Sequence, residues 1–151
     1  MSVFQTLRTS LFGNFFYAVN AGAFLSAKQA YLPDYKHFLT NEMILTGKPF
    51  NISFTMDNYR YATNDKWLQA HTAYSSQYLL LKQLPFMQRL PLEESVHLKT
   101  LWTPGLNHNE AGYSVGFGDV LRIGVFACFR NRNYESVSLV VGLPLLNTLV
   151  K

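Results

Sequence analysis

The sequence holds a single cysteine, few charged residues and no stretch of helical spacing. One cysteine, Cys128, excludes an internal disulfide, and the four histidines form no Cys/His metal spacing with it. Its bland reading is a half-buried thiol. Charged residues make up 15% of the 151, where a soluble domain carries about 25%. That scarcity argues against a freely soluble enzyme, whose surface wants more charge. The net charge of +4 comes from scattered side chains, the densest spot being Arg130-Asn131-Arg132 in a polar turn. No Lys/Arg stripe exists, which excludes nucleic acid as a partner. Long apolar runs are missing too. Residues 9–27 are uncharged and nearly long enough to span a bilayer as a helix. Ser10, Gly13, Asn14, Asn20, Gly22 and Ser26 interrupt them. Arg8 is the one basic side chain before Lys28, so no secretory signal is read either. Membrane-crossing strands escape such tests, because their hydropathy signal is weaker.

What is present is aromatic and alternating. Twelve Phe, nine Tyr and two Trp give 15% aromatics, which excludes a disordered tail. Leu121, Ile123, Val125, Ala127 and Phe129 alternate with Arg122, Gly124, Phe126, Cys128 and Arg130. Val137, Leu139, Val141 and Leu143 alternate with Ser136, Ser138, Val140 and Gly142. Leu92, Val96, Leu98 and Trp102 oppose Glu93, Ser95, His97 and Lys99, and Leu68, Ala70, Thr72 and Tyr74 oppose Gln69, His71, Ala73 and Ser75. Period two means strands with one apolar and one more polar face. Strands are predicted near 67–80, 92–102, 111–117, 120–129 and 134–143, with 14–25 and 49–56 less clean. Gly118-Asp119 and Arg130 to Asn133 predict hairpin turns, and 103–109 a polar loop. The expectation is an all-β antiparallel meander of about seven strands in one domain, 1–151, with a lead-in at 1–13 and a tail at 144–151. Several runs reach about ten residues, the length of a tilted membrane strand, where soluble strands are five or six. Tyr59, Tyr61, Trp67, Tyr78, Trp102 and Tyr134 fall near strand ends, where an interfacial aromatic girdle sits.

Four segments resemble a known family. They are Asn14-Phe-Phe-Tyr-Ala-Val-Asn-Ala-Gly-Ala-Phe-Leu25, Tyr31-Leu-Pro-Asp-Tyr-Lys-His-Phe38, Tyr59-Arg-Tyr-Ala-Thr-Asn-Asp65 and Leu84-Pro-Phe-Met-Gln-Arg-Leu90. Together they look like Bacteroidota outer-membrane proteins of unassigned function, over about Gly13 to Leu143. In that family a carboxypeptidase-regulatory-like domain precedes a large C-terminal region that ends in a β-barrel. The resemblance implies an outer-membrane location and brings no catalytic residues. The family's signal peptide and regulatory domain are not in this sequence, so the chain is expected to be the C-terminal part of a larger protein. Its last residues, Pro144 to Lys151, lack the terminal aromatic of many such barrels.

Candidate sites are few. Gly112-Tyr-Ser114-Val-Gly116 matches G-x-S-x-G, but a nucleophile elbow needs a strand, a sharp turn and a helix, and its triad needs a His after the Ser. Alternation runs straight through Ser114, and the last His is His108. His71 and His97 lie on the polar faces of neighbouring predicted strands. With Glu93, Lys99 and Arg122 they make a candidate lumen network, which a solvated barrel interior also explains. His37 and His108 read as loop residues, and Asp34, Asp57, Asp65 and Asp119 as turn formers. The reading is an outer-membrane barrel portion, structural or transport-related, with no catalysis, no cofactor and no metal. Its partners are outer-membrane lipid and either the missing N-terminal strands of the same barrel or a second copy. The alternatives are a complete eight-stranded membrane barrel and a soluble β-barrel holding an apolar ligand.

Overall fold

The structure, a computed structural model, describes residues 2–9, 13–24, 36–38, 45–46, 53–55, 62–118 and 120–143. These build one eight-stranded sheet. Its strands are β1 (Ser2–Thr9), β2 (Gly13–Gly22), β3 (Leu45–Thr46), β4 (Trp67–Ser76), β5 (Leu92–Thr103), β6 (Leu106–Phe117), β7 (Leu121–Arg130) and β8 (Asn133–Gly142). Their spatial order is β1-β2-β4-β5-β6-β7-β8-β3. Each long strand runs antiparallel to the next. The two-residue β3 is parallel to the end of β8. The sheet is therefore the expected all-β antiparallel meander, with eight strands rather than about seven. Among the described residues it is open, with β1 at one edge and β3 at the other. No helix among them is long and apolar enough to cross a membrane, which says nothing of crossing by strands.

The turns follow from local chemistry. Asn131 and Arg132 both have positive φ, 47° and 70°, the geometry that matches a hairpin's twist. Asn131 secures it: its Oδ1 accepts from the Asn107 N–H at 2.9 Å, and its own N–H donates to the Asn107 carbonyl at 2.9 Å. Gly118, at φ 52°, supplies the left-handed residue between β6 and β7.

Three expectations need correction. First, Ser2–Thr9, read as a lead-in, is a full edge strand on β2. Second, the predicted polar loop 103–109 shrinks to a tight turn, so β6 starts at Leu106 and carries His108. Third, residues 53–55 within the predicted strand 49–56 form no strand; Phe54 makes a single bridge, and the rest of that span lies outside the described residues. In addition, β4 ends at Ser76, and a short 3-10 turn, Leu81–Gln83, follows.

Register converts alternation into two faces. One cross-strand row reads Phe15, Tyr74, Val96, Tyr113, Val125, Leu139. Beside it runs Tyr17, Thr72, Leu98, Ala111, Ala127, Val137. This is the outward face, with Leu98 58% and Val137 57% exposed. On the inward face one row reads Ala18, His71, Lys99, Glu110, Cys128, Ser136, and the next Phe16, Ala73, His97, Gly112, Phe126, Ser138. His71 and His97 are both 0% exposed. Part of the cover on this face comes from the connection between β2 and β4. Its Phe38 and Phe54 pack with Leu101, against Trp67 and Leu106.

Candidate functional site

The inward face gathers charged and hydrogen-bonding groups where a soluble protein would keep an apolar core. Lys99 on β5 and Glu110 on β6 are register partners. Lys99 Nζ donates to the Ser53 carbonyl at 2.5 Å and pairs with Glu110 Oε2 at 3.4 Å. Its ammonium also sits 4.0 Å from the centre of the Phe126 ring, a cation–π contact. Glu110 Oε1 accepts from the Thr55 N–H at 2.7 Å and from His108 Nε2 at 2.9 Å. His108 Nδ1 lies 4.0 Å from Glu135 Oε2, and Glu135 pairs with Arg130. The result is a chain of polar contacts from the interior to the edge of the hairpin β7–β8. Lys99 and Glu110 have almost no exposed side-chain surface, so each needs the other: a lone buried charge is far costlier than a paired one.

The Ser53–Thr55 segment is clamped here by side chains from β5, β6 and β7. Lys99 takes its Ser53 carbonyl, Glu110 takes its Thr55 amide, and Thr55 Oγ1 lies 3.2 Å from Cys128 Sγ. Between them Phe54 is fully buried, its ring 4.5 Å from that of His71 and 6.0 Å from that of His108.

The residues singled out from the sequence divide into groups. His71, His97 and Lys99 sit together in the middle of the inward face. Glu93 and Arg122 form a separate pair nearer one end, at 3.3 Å, with Arg122 also donating to Ser95 Oγ at 3.0 Å. His71 Nε2 meets Gln69 Nε2 at 2.8 Å, and His97 Nε2 meets Ser114 Oγ at 2.8 Å. The Nδ1 atoms of His71 and His97 are buried without a hydrogen-bond partner among the described residues. Of the aromatic candidates, Trp102, Tyr78 and Tyr134 are exposed, at 40%, 73% and 65%. Trp67 points the other way, edge-on to Phe38 at 5.8 Å. Tyr59 and Tyr61 lie outside the described residues, as do Asp34, Asp57 and Asp119 among the turn formers. Asp65 Oδ1 accepts the Lys66 N–H at 2.7 Å, as a turn former does.

The sequence reading missed His108, Glu110, Cys128 and Ser53–Thr55 as parts of this cluster. The alternation Cys128, Phe126, Gly124 does place Cys128 on the polar face. His108 and Glu110 were hidden by the asparagines between them, which read as loop. Ser114 does meet a histidine, but in mid-strand, with both groups fully buried and no third group orienting His97. That is a structural hydrogen bond, without the open approach that nucleophilic catalysis needs. On the other side of the sheet one carboxylate, Glu94, is buried as well. It accepts from the Leu80 and Leu81 amides at 2.8 and 3.0 Å and from the Tyr113 hydroxyl at 2.5 Å, which fastens the β4–β5 connection.

Residues 1–115 match the family model described as "Family of unknown function (DUF5686) C-terminal domain". No curated protein and no solved structure gives a match.

Proposed function

The chain belongs to this DUF5686 C-terminal domain family, and from that premise we propose that it is a strand-built portion of an outer-membrane-type β-barrel, structural or transport-related, with no catalysis of its own. One observation carries the reading: the sheet is inside out for water. Its outward rows are mostly apolar or aromatic and exposed or half-buried across six strands, with Phe15, Val96, Leu98, Val125, Val137 and Leu139 exposed, while His71, His97, Lys99 and Glu110 are buried on the other face. Isolated exposed hydrophobics are ordinary, but a contiguous apolar surface of this extent calls for a covering medium. Lipid-facing strands alternate apolar-out and polar-in in this way. The lengths agree, since β2 and β4–β8 each have 10 to 12 residues, and about 9–11 tilted residues cross a bilayer. The middle of the inward face is occupied by the Lys99–Glu110 pair, His71 and His97 beside the Phe54 and Phe126 rings, which weakens the soluble ligand-binding alternative.

The open edges complete the proposal. Hydrocarbon tolerates no unpaired backbone edge. In this reading the edge of β1 and the length of β8 beyond β3 are joined by further strands, from the same polypeptide or from a second copy. A carboxypeptidase-regulatory-like domain ahead of this region, in a Bacteroidota protein, belongs to the same proposal.

The two tryptophans test it, because they face opposite ways. After reconstitution into vesicles containing brominated lipid, Trp102 fluorescence in a Trp67→Phe variant is expected to be quenched strongly. Trp67 fluorescence in a Trp102→Phe variant is expected to be nearly unaffected. Equal quenching of both, or a clean monomer without detergent, would overturn the proposal.

A further inference from the structure

His108 and Glu110 are two residues apart on β6, so alternation sets both on the inward face. Cys128 on β7 is the register partner of Glu110. An imidazole nitrogen, a carboxylate oxygen and the Cys128 sulfur lie within 4.8 Å of one another, all in buried residues. We infer that His108, Glu110 and Cys128 form a binding site for a divalent transition-metal ion of the zinc class.

Proximity is the first of four arguments. The second is donor chemistry. One nitrogen, one oxygen and one sulfur are the set that zinc and cobalt accept, whereas calcium and magnesium ask for oxygen alone. A glutamate and a thiolate together carry the two negative charges that neutralise a divalent ion.

The third is the looseness of the existing pair. Lys99 holds the Ser53 carbonyl at 2.5 Å but Glu110 Oε2 at 3.4 Å. Glu110 Oε1 meanwhile keeps the Thr55 amide. Oε2 is thus the oxygen an ion can take, with Lys99 remaining on the Ser53 carbonyl.

The fourth lies behind the histidine. A metal-bound imidazole nearly always gives its other N–H to an acceptor such as a carboxylate, a backbone carbonyl or a water. His108 Nδ1 has Glu135 Oε2 at 4.0 Å, one side-chain adjustment from hydrogen bonding, and Glu135 is itself held by Arg130. On binding, Cys128 releases its thiol proton to solvent and the ring proton moves from Nε2 to Nδ1. Thr55 Oγ1, 3.2 Å from the sulfur, stands where a fourth donor is needed.

The inference does not rest on the lipid reading. The untagged full chain, folded in detergent or, where it stays in solution, in plain buffer, is titrated with cobalt(II). Because the sequence has one cysteine, any sulfur-to-cobalt charge-transfer band reports Cys128 alone. The expected result is one equivalent bound, with that band, displaced by zinc and lost on unfolding. Cys128→Ser is expected to abolish the band, and His108→Gln to weaken binding at least about tenfold. Lys99→Met, which removes the competing cation and keeps every donor, is expected to tighten binding by about tenfold or more. Absence of the band in the folded chain overturns the site. So does a cobalt affinity unchanged by Lys99→Met, a readout that stands even where the Cys128 and His108 variants fail to fold.

Discussion

Lys99 and Glu110 carry the sharpest consequence at the scale of single residues. Each is buried against the other, so removing one strands a charge. Glu110→Gln is expected to destabilise by roughly 3–5 kcal/mol, and the double change Lys99→Met with Glu110→Leu by clearly less than the sum of the two single changes. Unfolding in urea and detergent checks this, and additivity would refute the coupling. Gly112 tests packing. A Cβ built there would lie 2.2 Å from the Phe126 ring, its register partner, so nothing larger than glycine fits without displacing that ring. Gly112→Ala is expected to cost about 1–3 kcal/mol, and Phe126→Leu in the same chain to recover part of it. The sequence displayed the polarity of His71, His97 and Lys99 through alternation alone. It could not display the partners of Lys99, because Ser53 and Glu110 arrive from separate stretches of chain.

Alternation was legible at the scale of elements where each strand has a single apolar face. β4, β5, β7 and β8 fall within a few residues of their expected spans. β1 was not legible, since Val3, Phe4 and Leu7 do not fall on one face in SVFQTLRT. The opposite failure occurred at 49–56. Phe50, Ile52, Phe54 and Met56 alternate well, but among the described residues 53–55 there is a single bridge and no strand, and the Ser53 carbonyl and Thr55 amide bond to the Lys99 and Glu110 side chains. Periodicity reports which face is apolar and is silent on what pairs with the backbone. β8 offers a test of the facing medium, since Val137 and Ser136 are consecutive, both exposed, and on opposite faces. In lipid, Val137→Lys is expected to cost roughly 2–4 kcal/mol, and Ser136→Lys much less. Equal tolerance in refolding assays would argue for water on both sides.

The open sheet sets the expectation for the whole molecule. With β1 bonded on one side only among the described residues, the chain is expected to form oligomers or aggregates when refolded alone, and to gain a compact, heat-resistant form when strands that complete the barrel are supplied. Gel mobility with and without heating distinguishes the two. A compact heat-resistant monomer from this chain alone would refute the open-edge reading. The parallel contact of Leu45–Thr46 with Val141–Gly142 bears on time rather than on energy. β3 leaves the ribosome early, and its partner is the last of the described strands to follow. Until β8 is in place, Leu45–Thr46 lacks its strand partner, although Ser53–Thr55 in the same connection is already held by Lys99 and Glu110 on β5 and β6. Closing so long a loop adds little free energy, since each doubling of length costs only about 0.6 kcal/mol, but pairing so distant in sequence is slow. Of the described pairings, the β3–β8 contact is therefore expected to be the last to form, after the cover over Lys99 and Glu110 is in place.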